Sequence, residues 1–191
     1  MNYTMKLKNL FIVVFSLFVL GSSAQDLDQT LAIANQSYQR NNYENALFHF
    51  QRAAFFSSDR QNTAVLGRIA DCYYALGDFE RALEYYDHAY FEADQDNEKW
   101  DYLFKKIGTY LEAENYYTAL VELLGIDAEQ GSDIDLRKQV FLATTYFGLE
   151  QFDNAGKHFL ATLPPEKLNE RKQIADLYSN PKNFSRPNPK T

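Results

Sequence analysis

Metal-binding and nucleophilic side chains are few in this sequence: His49, His88, His158 and the single cysteine Cys72. Metal ligation and acid–base catalysis need such groups in sets, spaced so that two or three of them meet at one point. These four residues are not spaced in that way. Glu84 and His88 are one helical turn apart, which normally gives only a local side-chain pair. The sequence therefore predicts no metal site and no cofactor.

Catalytic motifs are missing from the sequence as well. It contains no glycine-rich phosphate loop, no His-Glu-x-x-His and no Gly-x-Ser-x-Gly. The acidic run Asp94–Glu98 is similar to the start of a calcium loop, but Lys105 occupies the position where the bidentate glutamate belongs. We interpret that run as a solvated linker and predict that the protein is not an enzyme. Cys72 is expected to be a buried, unreactive thiol, with an intermolecular disulfide as the alternative.

Composition points to binding rather than to chemistry. The formal net charge is −7, and aromatic residues make up 16% of the chain, including 14 Tyr and 15 Phe. Because nucleic-acid binding depends on clusters of Lys and Arg, so acidic a chain is not expected to bind nucleic acid. Most aromatic side chains are expected to fill space between helices, but aromatic and Arg residues also dominate protein interfaces. A protein or peptide is the expected partner.

One stretch indicates which elements position these residues. Tyr73–Ala89 reads as the end of one helix, a tight turn and the start of a second helix. Gly77 can take the left-handed conformation that ends a helix, and Asp78 can cap the next one. The small side chains of Ala82 and Ala89 let two helix backbones approach closely. The stretch therefore predicts a helical hairpin.

The same pattern recurs along the chain. The residues equivalent to Ala82 are Ala46, Ala119 and Ala155, and consecutive members of the set are 36, 37 and 36 residues apart. A fixed period of this size indicates a solenoid of helical hairpins, in which each unit buries its apolar face against its neighbours. The residues resemble the tetratricopeptide repeat family, whose consensus contains Leu-Gly-x2-Tyr and then Gly-Asp-Tyr-x2-Ala-x3-Phe-x2-Ala. The resemblance covers about Leu27 to Leu163.

The resemblance implies an all-α fold, a right-handed α-solenoid of about four hairpins plus a C-terminal capping helix. The third repeat departs most from the consensus, since Glu114-Asn115 replaces Gly-Asp and Gly125 falls inside the expected second helix. The repeat region is expected over residues 25–163, with repeats at about 27–60, 63–97, 100–133 and 136–163.

The resemblance also implies a concave groove, lined by the first helix of each hairpin, that holds an extended peptide or a partner's helix. Leu31 stands where a terminal-carboxylate clamp would require Lys, so that clamp is not predicted. Carried over by repeat position, the groove candidates are Asn35, Tyr38, Gln39, Arg68, Asp71, Tyr74, Phe104, Lys105, Thr144 and Phe147.

Segments outside the repeats carry their own signals. Residues 1–24 have Lys6 and Lys8, then an apolar run and small residues before Gln25, which predicts a secretory signal peptide, with an uncleaved anchor as the alternative. After cleavage, no membrane insertion is expected, and the protein would be periplasmic or secreted. Residues 165–178 are predicted to form the capping helix. The basic, proline-rich residues 180–191 are predicted to be disordered.

Two functions fit these predictions. The first is a protein-binding adaptor of the bacterial cell envelope that uses its groove. The second is a structural subunit of an envelope or secretion assembly that docks through its repeat ends or its convex face. Convergence of Tyr38, Arg68, Tyr74 and Lys105 on one open surface would favour the adaptor. A filled groove together with a large exposed apolar patch elsewhere would favour the subunit.

Overall fold

The computed structural model describes residues 26–56 and 63–163, and every regular element in those two ranges is an α-helix. The all-α fold class predicted from the repeat pattern is thereby confirmed. The signal peptide, the capping helix and the basic tail lie outside the described residues. The helices within them are α1 (residues 26–39), α2 (Tyr43–Phe56), α3 (Thr63–Ala75), α4 (Phe79–Glu92), α5 (Asp96–Glu112), α6 (Tyr116–Leu124), α7 (Asp133–Gly148) and α8 (Phe152–Ala161).

The chain divides into two compact units, Met1–Lys99 and Trp100–Thr191. In the first unit, α2 packs against α3, and α3 packs against α4. In the second unit, α6 packs against α7, and α7 packs against α8. In each unit, consecutive helices therefore pack against one another, and three residues join α3 to α4 and α7 to α8. This is the hairpin organisation that the repeat pattern predicts.

Four hairpin turns share one backbone geometry. The second residue after the end of the first helix has a positive φ in each: 58° at Asn41, 77° at Gly77, 55° at Glu114 and 60° at Glu150. The next residue donates its backbone N–H to a carbonyl five residues earlier, as Asp78 does to Tyr73 at 2.9 Å. The same bond closes the other three turns, at 2.8–3.0 Å. This is the left-handed helix ending expected of a Schellman-type cap, although only one of the four positions is glycine.

Side chains cap the N-termini of the second helices α4 and α6. Asp78 and Asn115 accept hydrogen bonds from the backbone N–H groups of Arg81 and Thr118, at 3.2 and 3.4 Å. These contacts satisfy donors that the first turn of a helix leaves without an intrahelical partner. The predicted cap at Asp78 is therefore present.

The repeating alanines are all fully buried. Ala46, Ala82, Ala119 and Ala155 are each 0% exposed. Any larger side chain there would push the paired helices apart, because protein interiors leave no room for added volume. The prediction that these alanines are wedged between helices is confirmed.

A second set of small buried residues lies on the first helices. Cys72, Thr109 and Thr145 occupy equivalent repeat positions and are all 0% exposed. The two threonine hydroxyls donate to the carbonyls of Lys105 and Phe141, at 2.9 and 2.7 Å, so neither polar group is buried without a partner.

Two boundaries of the third repeat differ from the sequence-based prediction. Helix α5 begins at Asp96, inside the run Asp94–Glu98 that was expected to be a linker. Asp96 and Glu98 lie in its first turn, where negative charge is stabilised by the helix dipole. The second helix of the repeat, α6, is shorter than expected. It ends at Leu124, and Gly125 is its C-terminal cap.

The core of the second unit forms around α5, α6 and α7. Its buried members are Phe104, Ile107, Ala119, Leu123, Ile126 and Leu142. Lys106 on α5 and Glu122 on α6 form an ion pair of 3.0 Å at its edge.

Candidate partner-binding site

Predicted groove residues of the first unit meet between α1 and α3. Tyr38 lies near the end of α1, while Arg68, Asp71 and Tyr74 occupy successive turns of one face of α3. The i, i+3 spacing within α3 places these three side chains beside one another. Together with Tyr86 of α4, which contacts Asp71, they form what we call the inner cluster.

Arg68 is the accessible cation of the inner cluster. Its guanidinium carbon lies 4.9 Å from the centre of the Tyr38 ring, and its Nη1 lies 3.7 Å from Asp71 Oδ2. The Arg68 side chain is nevertheless 47% exposed. The ring and the carboxylate fix the guanidinium in one orientation while leaving it open to solvent, which lowers the entropy lost when a partner binds it.

The Asp71 carboxylate is held in place by Tyr86 of α4, the second helix of the same hairpin. The Tyr86 hydroxyl donates a 2.8 Å hydrogen bond to Asp71 Oδ1, and Tyr86 itself is 3% exposed. Burial and the nearby Asp71 charge raise the pKa of the Tyr86 phenol above its ordinary range, so the hydroxyl stays a donor. Burial, followed by the Asp71 charge, also raises the pKa of Tyr38.

Tyr86 was not among the groove candidates, although the sequence carries a signal for it. The equivalent position is Phe50 in α2, Leu123 in α6 and Phe159 in α8. Only Tyr86 adds a hydroxyl to this packing position, and a buried hydroxyl needs a hydrogen-bond partner. That partner is the Asp71 carboxylate.

The remaining candidates of the first unit lie around the inner cluster. Asn35 and Gln39 are exposed on α1, and Tyr74 is 36% exposed with its ring 5.9 Å from the Phe79 ring. The face of α1 and α3 therefore offers amide groups and aromatic rings around one cation. Such a surface can hold a peptide by hydrogen bonds and aromatic contacts.

Phe104 was expected to face the groove, and that expectation is wrong. Phe104 is 1% exposed and belongs to the core of the second unit, with its ring 5.4 Å from the Phe141 ring. Arg137 of α7 covers it: the guanidinium carbon lies 4.3 Å from the ring centre, and Nη1 lies 2.7 Å from Asp101 Oδ1. Phe104 is a packing residue.

The other candidates of the second unit are on its surface. Lys105 is exposed on α5, and Thr144 is exposed on α7, where its hydroxyl donates to the Val140 carbonyl at 3.1 Å. Phe147 is 43% exposed, and its ring lies 5.5 Å from that of Phe152. Of the four residues whose convergence would favour the adaptor, Tyr38, Arg68 and Tyr74 lie in the first unit, and Lys105 lies in the second.

The nucleophilic and metal-binding side chains occupy separate places. Cys72 is fully buried, and burial raises the pKa of its thiol to about 12, which suppresses the reactive thiolate. His158 Nδ1 lies 2.7 Å from Gln139 Oε1, and its ring stacks on Tyr146. Within residues 26–56 and 63–163, no three His, Cys, Asp or Glu residues are grouped as a metal site would require.

The hairpins, their four matching turns and the inner cluster define a helical-repeat protein with a polar and aromatic surface on its first helices. Residues 37–107 match the family model of the tetratricopeptide repeat. The match supports the tetratricopeptide repeat family, whose repeats generally mediate protein–protein interaction and are typically non-enzymatic. No curated protein matches the sequence at a significant level. None of the helices described is both long enough and apolar enough to cross a membrane.

Proposed function

We propose that this protein is a non-enzymatic adaptor of the bacterial cell envelope that holds a peptide or a partner's helix on its first hairpin helices. The inner cluster is the observation that carries this proposal. Arg68 is held in place by Tyr38 and Asp71, yet about half of its side chain is exposed. Exposed Arg and Tyr side chains that are already ordered are the residues from which interface hot spots are built.

The leader and the charge support the cellular setting. Residues 1–24 have the composition of a cleaved secretory signal, so we propose that the protein is exported to the periplasm or secreted. Removal of Lys6 and Lys8 with that leader would change the formal net charge from −7 to −9. This charge disfavours nucleic acid and supports a protein partner.

A pull-down of envelope proteins tests the proposal. The cleaved protein is compared with an Arg68→Ala/Tyr74→Ala variant, in which both accessible anchors of the inner cluster are removed. Loss of a specific partner at unchanged helical circular dichroism is the expected result. Truncating one hot-spot residue to alanine typically costs about 1 to 4 kcal/mol of binding free energy.

A matched control removes the same kinds of side chain from another face. Arg52→Ala/Phe55→Ala deletes one arginine and one exposed aromatic ring from α2, where Phe55 is 67% exposed. Partner binding is expected to survive this change. If the inner-cluster variant binds normally, the proposed site on α1 and α3 is wrong.

A further inference from the structure

The outward face of α6 is apolar, in addition to its buried face. Tyr117, Val121 and Leu124 are 73%, 72% and 61% exposed, and their i, i+4, i+7 spacing places them in one line. Ala119 and Leu123 on the opposite side are fully buried in the second unit. The packing of α6 into the core therefore does not account for the three outer residues, which we call the outer stripe.

Equivalent positions in the other second helices show that the outer stripe is not a requirement of the repeat. Where α6 has Tyr117, the other helices have Glu44, Glu80 and Asp153, all exposed. An acidic residue there is favourable, because it lies in the first turn of the helix. Of the four second helices, α6 alone has apolar residues at all three outer positions. An exposed apolar line of this kind typically marks an interaction surface.

The surroundings of the outer stripe are acidic. Residues 112–129 contain five carboxylates and neither Lys nor Arg: Glu112, Glu114, Glu122, Asp127 and Glu129. All but Glu122 are exposed. Two lysines approach from neighbouring helices, but both are engaged. Lys106 pairs with Glu122 at 3.0 Å, and Lys138 donates to the Ile126 carbonyl at 2.6 Å.

We propose that the outer stripe binds a basic amphipathic helix of a partner protein, as a second contact surface beyond the inner cluster. The stripe spans about 10 Å, which is the length of two helical turns. It therefore fits apolar side chains at i, i+3 or i+4, and i+7 of a docking helix. Lys and Arg beside those side chains would face the carboxylates that flank α6.

Other occupants fit less well. A second copy of the chain would bring the acidic flanks of two α6 helices together, and this like-charge contact is unfavourable. An anionic lipid surface would be repelled by the same carboxylates. Charge complementarity therefore selects a basic protein segment.

Two synthetic helical peptides test this assignment on the full-length chain. Both carry the same leucine stripe, and one has lysines on its flanks where the other has glutamates. The lysine peptide is expected to bind at least about tenfold more tightly, as measured by fluorescence anisotropy of a labelled peptide. A Tyr117→Glu/Val121→Glu variant, which restores the outer residue types of α4, is expected to lose about tenfold or more in affinity. A matched Phe48→Glu/Phe55→Glu variant, which places the same charges at two exposed positions of α2, should leave the affinity for the lysine peptide unchanged.

Three results would overturn the proposal. Equal binding of the two peptides, or undiminished binding to the α6 variant, would exclude a charge-selective site on α6. Dimers that sedimentation detects in the natural chain and not in the variant would identify a second copy as the occupant. An increase in peptide affinity on Arg171→Glu/Lys172→Glu would show that residues 165–178 of the chain itself, predicted to form the capping helix, compete for the stripe. Because both substituted α6 positions are exposed, unchanged circular dichroism is expected in the variant and confirms that it folds.

Discussion

At the scale of single residues, Glu150 has a backbone conformation that suits glycine. Its φ is 60°, and Gly77 has the same role in the equivalent turn with a φ of 77°. A left-handed conformation costs a non-glycine residue about 1–2 kcal/mol, so a change to glycine removes that cost. The greater conformational freedom of glycine in the unfolded chain offsets about 0.5–1 kcal/mol of this gain. Glu150→Gly should therefore raise the free energy of unfolding by about 0.5–1 kcal/mol in urea titrations.

Alanine at the same site separates backbone from charge. Glu150→Ala removes the carboxylate but keeps the unfavourable conformation, so no comparable gain is expected. If alanine stabilises the protein as much as glycine does, the effect comes from the lost charge and the backbone explanation fails.

His158 is expected to make the second unit less stable in acid. Burial, with smaller contributions from the charges of Lys138 and Lys157, lowers the pKa of its imidazole below the ordinary value of 6.5. As the pH falls below about 6.5, the unfolded chain binds the proton more readily than the folded one. Protonation therefore favours unfolding, and this contribution is absent above that pH. Asp135, whose own pKa is lowered chiefly by the Gly131 N–H, contributes only at more acidic pH.

A His158→Phe variant tests this contribution, since phenylalanine keeps a ring against Tyr146 but binds no proton. Between about pH 7.5 and pH 5.5, the natural chain should lose more stability than the variant. Urea midpoints at the two pH values measure the difference. Parallel losses in both proteins would show that other groups are responsible.

Single residues also show how far the sequence predicts the site. The cap at Asp78, the left-handed Gly77 and the buried Cys72 follow from local chemistry, and all are present. The burial of Phe104 could not be predicted, because a repeat position indicates the face of the helix on which a residue lies but not which side chains cover that face. Its burial depends on Phe141 and on Arg137, an ion-paired residue of another helix, and neither contact follows from spacing along the chain.

At the scale of elements, the end of α7 packs directly against the start of α6. A Cβ atom added to Gly148 would lie 2.6 Å from Tyr116 Cδ1, and closer still to another atom of the same ring. Alanine normally favours a helix over glycine by about 1 kcal/mol, but overpacking costs about 1–3 kcal/mol. Gly148→Ala should therefore lower the free energy of unfolding, by up to about 2 kcal/mol.

A double-mutant cycle with Tyr116→Ala tests the cause. In that background the ring is gone, so Gly148→Ala should be neutral or stabilising in the same urea titrations. An equal loss in both backgrounds would mean that the contact with Tyr116 is not the cause.

The sequence predicted the helices better than it predicted their boundaries. Alanine spacing located the four hairpin turns correctly, because the period of the repeat and the helix crossings impose it together. The start of α5 was placed too late, since the acidic residues Asp96 and Glu98 look like a solvated linker in sequence. In three dimensions the same carboxylates stabilise the N-terminus of the helix.

At the scale of the whole molecule, the proposed export predicts processing of the chain. Expression with an intact secretion system should yield a protein that begins at Gln25, because the small residues Ser22 and Ala24 suit signal cleavage. Intact-mass spectrometry of the envelope fraction measures this, and Ala24→Lys is expected to block cleavage. A mature protein that retains residues 1–24 would instead indicate an anchor.

The equal geometry of the four turns has a consequence for the length of the molecule. Gly77 and Glu114 are left-handed residues of two successive turns, and residues 78–114 are the segment from just after the first to the second. The junction after Gly77 and the junction after Glu114 therefore have the same local backbone conformation. A duplicated copy inserted after Glu114 would meet matching junctions on each side. We therefore expect a library of tandem duplications to tolerate insertions of whole hairpins at these joints far better than insertions within the helices.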